Sequence, residues 1–125
     1  MPFAVWSILV AAILPLLAVV PAKINRKYDN ARPRNPEFWK EGFAERAMGA
    51  QLNSLESFPF FAIAVLVALG YGGDPSWVDS LCGLYLSIRA VYIFVYWTNR
   101  PGLRSLAWFV GWGATIAIFT SPAWS

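Results

Sequence analysis

The sequence contains no histidine, one cysteine and few charges: ten Lys or Arg and seven Asp or Glu in 125 residues. Each shortage removes a class of chemistry. Without histidine there is no Ser-His-Asp or Cys-His catalysis, no His-ligated zinc or haem and no imidazole proton switch. The lone Cys82 excludes an intrachain disulfide, a CxxC redox pair and a Cys-rich zinc site, so no metal is expected. Cys82 lies in the apolar run Ser80 to Leu86 and reads as a small buried hydrophobe. Charged residues make up 14% of the chain, against about 25% in an average soluble domain. With 58% hydrophobic residues, the polar surface is too small to cover a soluble globule. The expected surroundings are a lipid bilayer. A net charge of +3 is too small to point to a nucleic-acid partner.

What is present is length for one domain and four apolar stretches. A bilayer-spanning helix needs about 20 predominantly apolar residues. Pro2 to Ala22, Phe43 to Tyr71, Trp77 to Trp97 and Ser105 to Trp124 meet that requirement. The joints are Lys23 to Gly42, the GYGGDPS segment Gly70 to Ser76 and the TNRPGLR segment Thr98 to Arg104. Gly-Gly-Asp-Pro and Asn-Arg-Pro-Gly are strong turn signals. No Lys or Arg precedes Lys23, so a cleaved signal peptide is not expected. Pro15 is expected to kink the first span. The predicted fold is therefore an all-α, integral membrane four-helix bundle.

The basic residues predict its orientation. Lys23, Arg26, Lys27, Arg32, Arg34, Lys40 and Arg46 lie in or beside the first joint, and Arg100 and Arg104 in the third. The middle joint has Asp74, and Asp79 follows it. The positive-inside rule puts joints one and three in the cytoplasm and both termini on the other side. Trp39 and Trp97 fit an aromatic belt at one interface, and Trp6, Trp77 and Trp124 fit one at the other.

Ionisable groups inside a span mark a functional site by default. Glu56 and Arg89 each lie about 16 Å below the cytoplasmic interface at a helical rise of about 1.5 Å per residue. The second and third spans run antiparallel, so the two charges are expected to pair. Arg46, Asn53 and Glu56, with Gln51 beside them, define one helical stripe. Tyr85, Arg89, Tyr92, Tyr96 and Asn99 define another, at steps of four, three, four and three. Each member carries a polar group that needs a partner in hydrocarbon. The two stripes predict a polar cleft, with Lys23, Arg46 and Arg104 as a cationic rim. Such a cleft suits a small anionic or zwitterionic molecule. Ala107, Gly111 and Ala114 give the fourth span a small-residue packing face, and Trp108 and Trp112 an aromatic one.

The segment ERAMGAQLNSLESFPFF, Glu45 to Phe61, resembles the second-helix signature of the MAPEG superfamily, the membrane-associated proteins in eicosanoid and glutathione metabolism. The shared skeleton is Glu-Arg, Ala-Gln, Asn-x-x-Glu and a Pro flanked by aromatics. RAVYIFVYWTNRPGLRS, Arg89 to Ser105, is similar to the family's Arg-x-x-(Tyr/His)-x-x-x-Tyr followed by a turn and Arg-Ser. The resemblance is strongest toward short bacterial members and, in the second span, toward leukotriene C synthase. It implies a homotrimer, a bacterial inner membrane and glutathione bound between neighbouring subunits near the cytoplasm. By position it makes Asn53, Glu56, Tyr92 and Tyr96 glutathione contacts, and Gln51 a contact of the leukotriene type. Lys23 takes the place of an Arg at the end of the first helix, and Ser105 that of a Ser in the prostaglandin synthase type. Arg104 corresponds to the Arg that activates the glutathione thiol. A nearby guanidinium lowers a thiol pKa from about 8.5 toward neutrality, and the thiolate is the nucleophile. The implied substrate is a lipophilic electrophile or hydroperoxide arriving through the bilayer.

Three positions depart from that pattern. Gly49 stands where well-known members have an Arg that grips a glutathione carboxylate. Leu52 replaces a second Arg of the prostaglandin type, and Ser57 a Tyr of the leukotriene type. One lost bidentate Arg–carboxylate contact costs about 1.5–3 kcal/mol. Arg46, one turn from Gly49, could compensate. Besides the glutathione-dependent transferase or peroxidase, two readings stay open. One is a non-catalytic binder or scaffold with a degenerated site. The other is a proton-coupled exporter, although such exporters place an essential acid in the first helix, which here is uncharged.

Overall fold

A computed structural model describes residues 1–125. Four long helices, α1 (Phe3–Lys23), α3 (Gly42–Gly70), α4 (Pro75–Trp97) and α5 (Pro101–Trp124), are each long and apolar enough to cross a membrane. A single-turn helix, α2 (Pro36–Trp39), interrupts the first joint. The structure is an all-helical, multi-pass membrane protein. Its spans agree with the sequence expectation within two residues, except that α5 begins at Pro101 rather than Ser105. Proline at a first helical position has its φ preset and loses no hydrogen bond there, which explains the earlier start.

Small residues let these helices approach closely. Ala4, Ala11, Ala18 and Ala22 of α1 are buried, as are Ala47, Ala50, Ala64 and Ala68 of α3. Without a hydrophobic drive between helices in lipid, such faces associate by close packing. The helix α1 runs on through Pro15 and Pro21. Its first turn is satisfied from outside: Ala4 donates its backbone N–H to Asp79 Oδ1 of α4 at 3.0 Å. An acid near the start of the third span thus serves a neighbouring helix end, where negative charge is favourable. Cys82 is fully buried.

The first joint is a folded lobe. Asn25, Asp29 and Asn35 each accept a backbone N–H two residues ahead. Tyr28, Phe38 and Trp39 pack edge to face, and the Trp39 indole donates to the Pro33 carbonyl at 2.9 Å. The sequence pattern had shown this segment only as a polar connection.

The two short joints end their helices in the same way. At the α3–α4 joint, Gly72 has φ +83° and Gly73 N–H returns to the Ala68 carbonyl at 2.8 Å. At the α4–α5 joint, Asn99 has φ +57°, its N–H bonds to Tyr96 at 3.1 Å, and Arg100 N–H bonds to Val95 at 2.9 Å. This is a Schellman closure with Asn in the left-handed position. It places Asn99 beyond the end of α4, off the polar stripe to which its spacing had assigned it. Only three residues separate α4 from α5, so the last turn of one fixes the first turn of the other.

Asn99→Gly should hold or raise the melting temperature in detergent. Asn99→Val should destabilise by about 1–2 kcal/mol, because a side chain branched at Cβ is disfavoured at positive φ. Equal melting temperatures for the two variants would show that this turn does not set the joint.

Candidate functional site

The polar centre is built from α3 and α4. Arg89 is 3% exposed and lies within the third span. Its Nη2 donates to Asn53 Oδ1 at 2.8 Å and to Ser54 Oγ at 3.2 Å. Its guanidinium lies 4.2 Å from the Tyr92 ring centroid. From there aromatic contacts lead toward the α4–α5 joint. Tyr92 and Tyr96 meet edge to face at 5.7 Å, and the Arg104 guanidinium lies 4.6 Å from the Tyr96 ring centroid. The sequence Arg89–Tyr92–Tyr96–Arg104 is a ladder of cation, two rings and cation. A helix repeat of about 3.6 residues puts 89, 92 and 96 on one face. The tight joint brings the fourth residue of α5 over that face.

Glu56 does not pair with Arg89. The chain's single ion pair joins Lys40 and Glu37 at 2.7 Å, and Glu56 is exposed on the outer face of α3. Depth along the bundle was the wrong criterion on its own. Ser54, which does meet Arg89, is two residues before Glu56, roughly 200° around the helix at about 100° per residue. Neutral oxygens and a ring face therefore satisfy Arg89.

The expected cationic rim also contracts. Arg46 Nε donates to the Trp97 carbonyl at 3.1 Å, satisfying one of the unpaired carbonyls at the end of α4 and placing a cation at that negative end. Lys23 is exposed and leans over the Tyr28 ring of the lobe, its Nζ 5.7 Å from the centroid. Gln51 is half-buried two residues before Asn53, outside the Arg89 cluster. Arg104 alone of the three rim cations stands at the cleft. The cleft at Arg104, about 210 Å³, lies between α4 and α5 and not between the two expected stripes: it is lined by Tyr92, Arg104, Ser105, Trp108 and Phe109, with no residue of α3. Trp108 was assigned to packing from sequence, yet it forms a wall beside Arg104.

Two further polar residues belong to the centre. Ser54 was legible only as a hydroxyl in the otherwise small, buried stripe Ala47, Ala50, Ser54. Ser57 Oγ and Tyr85 Oη are 3.1 Å apart, and the Tyr85 ring stacks on Phe61 at 3.9 Å between centroids. Gly111 lets α5 lie against Arg89: a Cβ added there would stand 3.6 Å from Arg89 Cδ. No group of three or more His, Cys, Asp or Glu side chains is placed to hold a metal ion. A larger hollow, about 430 Å³, lies between the lobe and the start of α3 and includes Lys27, Glu37 and Glu41 but no residue of the ladder.

Asn53→Leu should destabilise the protein by about 1.5–3 kcal/mol, since it strips a buried charge of a hydrogen bond. Adding Arg89→Met should recover most of that loss, because a buried charge and its partners can be exchanged for apolar groups at little cost. Thermal melting of the two variants checks the sign; a double variant no more stable than the single one would contradict it.

A family model described as MAPEG family matches residues 3–124. No curated protein and no solved structure gives a match. The matched region spans all four long helices and both ends of the ladder, and the chain belongs to the MAPEG family.

Proposed function

We propose that the protein is a membrane-bound, glutathione-dependent transferase or peroxidase acting on lipophilic electrophiles or hydroperoxides. The observation that carries this reading is Arg104: a half-buried cation with Ser105 beside it, at a cleft walled by Trp108 and Phe109. Membership of the MAPEG family supports the choice of glutathione as the thiol.

A thiolate is the reactive form of glutathione, and a guanidinium beside the sulfur stabilises it. A guanidinium is too weak an acid to lose its proton and act as the base, so water takes the thiol proton. The Ser105 hydroxyl donates to the sulfur. The thiolate then attacks an electrophilic carbon; the new C–S bond displaces a leaving group or pushes electrons onto an atom that takes a proton from water. With a hydroperoxide, sulfur takes one oxygen and the alcohol departs. A second glutathione reduces the sulfenic acid, giving the disulfide and water. Trp108 and Phe109 offer an apolar wall on the bilayer side. Asn53, Tyr92 and Tyr96 would meet the peptide part of glutathione.

The active form in this reading is a homotrimer with the two basic joints toward the cytoplasm of a bacterial inner membrane. Its support is the outer face of α3, where Glu56 sits exposed among Leu52, Leu55 and Ile63 within a span. An acid facing lipid is costly, and a neighbouring copy removes that exposure. Glu56, Gln51, Lys23 and Arg46 then join the ligand from the interface between copies. A non-catalytic binder is favoured by Gly49 and Leu52, which stand where the resembled members carry arginines.

Titrating reduced glutathione into purified protein while following thiolate absorbance separates these readings. Wild type should form the thiolate at neutral pH. Arg104→Ala should bind glutathione as the thiol, and its rate profile should move to more alkaline pH, toward the free thiol value of about 8.5. Thiolate without Arg104 would remove its assigned role, and binding without thiolate in the wild type leaves the binder. No binding at millimolar glutathione overturns the enzyme and leaves a scaffold with a degenerated site. Light scattering corrected for detergent should give three copies of the 13.9 kDa chain.

A further inference from the structure

Gly49 lies one turn past Arg46 on α3, against α4. A Cβ at this position would stand 2.5 Å from Tyr96 Cζ, 3.1 Å from Cε1, and closest of all to the hydroxyl oxygen. Carbon atoms in contact prefer about 3.5–4.0 Å, so a side chain here requires the phenol to move by roughly 1 Å. The phenol is stiff, and its backbone is held in the last turns of α4 by the Asn99 and Arg100 hydrogen bonds. It cannot retreat without changing its contacts with Tyr92 at 5.7 Å and with Arg104 at 4.6 Å.

We propose that Gly49 is a positioning residue for Arg104: its bare backbone is the seat of the Tyr96 phenol, and Tyr96, so seated, holds the Arg104 guanidinium at the cleft. Any side chain at 49 displaces the ring, and the ring displaces Arg104. Position 49 therefore reaches the reactive sulfur through two contacts while touching neither sulfur nor substrate. The inference rests on the thiol-stabilising role proposed for Arg104. The seat itself is a property of the folded chain without ligand.

Four proteins test it: wild type, Gly49→Ala, Tyr96→Ala and the double variant. Alanine ordinarily favours a helix over glycine. Gly49→Ala should therefore lower the melting temperature in the wild-type background and hold or raise it in the Tyr96→Ala background. Because the second background lacks the clashing ring, it reports the sign even where the single variant folds poorly. Gly113→Ala, where an added Cβ meets nothing within 4 Å, is the matched control and should not destabilise.

The second readout is the pH at which glutathione added to each protein becomes a thiolate. Gly49→Ala should move it upward, with kcat for conjugation at neutral pH falling about tenfold, one pH unit's worth of thiolate. Gly49→Ala should have no further effect once Tyr96 is alanine, the non-additivity expected of coupled residues. A wild-type thiolate pH profile in Gly49→Ala overturns the positioning role while leaving the function intact. Equal melting-temperature changes in the two backgrounds overturn the seat. Absence of thiolate in wild type removes the thiol-activating function, and with it the positioning role, whatever the melting temperatures show.

Discussion

Arg89 imposes the demand that the rest of the polar centre meets. A guanidinium is always charged, and at the middle of a span it costs at least about 2.5–3.5 kcal/mol on insertion scales unless it finds partners. Here no carboxylate meets it. Asn53 and Ser54 accept from one nitrogen, and the guanidinium carbon lies over the Tyr92 ring. Because the ring is used in this way, Tyr92 cannot turn freely. Its edge-to-face contact with Tyr96 hands that constraint one turn along α4, and Arg104 closes the series from α5. Satisfying one buried charge thus orders side chains as far as the cleft.

The joint between α4 and α5 makes this transmission possible. Two backbone hydrogen bonds, one residue at positive φ and a proline at the first position of α5 leave little freedom between the helices. Arg46 reinforces the corner from α3 by binding the Trp97 carbonyl, and the Trp97 indole donates to the Ala18 carbonyl of α1 at 2.9 Å. Three helices therefore meet at the end of α4. Had α5 begun at Ser105, Arg104 would have been a flexible turn residue. As the fourth residue of a helix it has a fixed direction over Tyr96.

The spans, the small-residue face of α5 and the Tyr85–Arg89–Tyr92–Tyr96 stripe were legible because each follows from a period or a length. Ala107, Gly111 and Ala114 are buried as their spacing implied. The Glu56–Arg89 pairing failed because equal depth says nothing about azimuth, and a shift of two residues on α3 changes the answer. The contacts of Arg46 and Lys23 within one copy were hidden for a related reason: a long cation near a helix end has carbonyls and rings to choose from, and sequence does not rank them. Trp108 was given to packing because an aromatic on a span packs or lines a cleft with the same pattern. The seat at Gly49 was invisible in a different way. It was legible only as the absence of an arginine, whereas in the folded chain it is occupied by a tyrosine from another helix.

The two deep charges are treated in opposite ways, and the contrast bears on assembly. Arg89 lies inside the subunit and is satisfied there. Glu56 lies at comparable depth on the outer face of α3, with Leu52 and Leu55 exposed beside it. Acids in spans almost always face a bundle interior or a polar cavity because hydrocarbon does not solvate them. Protonation would remove the charge but leave a polar group still seeking a partner. A subunit whose interior polar groups are already matched has nothing further to offer Glu56. Its partner has to come from outside the chain, from a second copy, a bound ligand or both. In the proposed trimer, a second copy and glutathione between copies are the candidates for that partner, which would link Glu56 to the cleft beside Arg104.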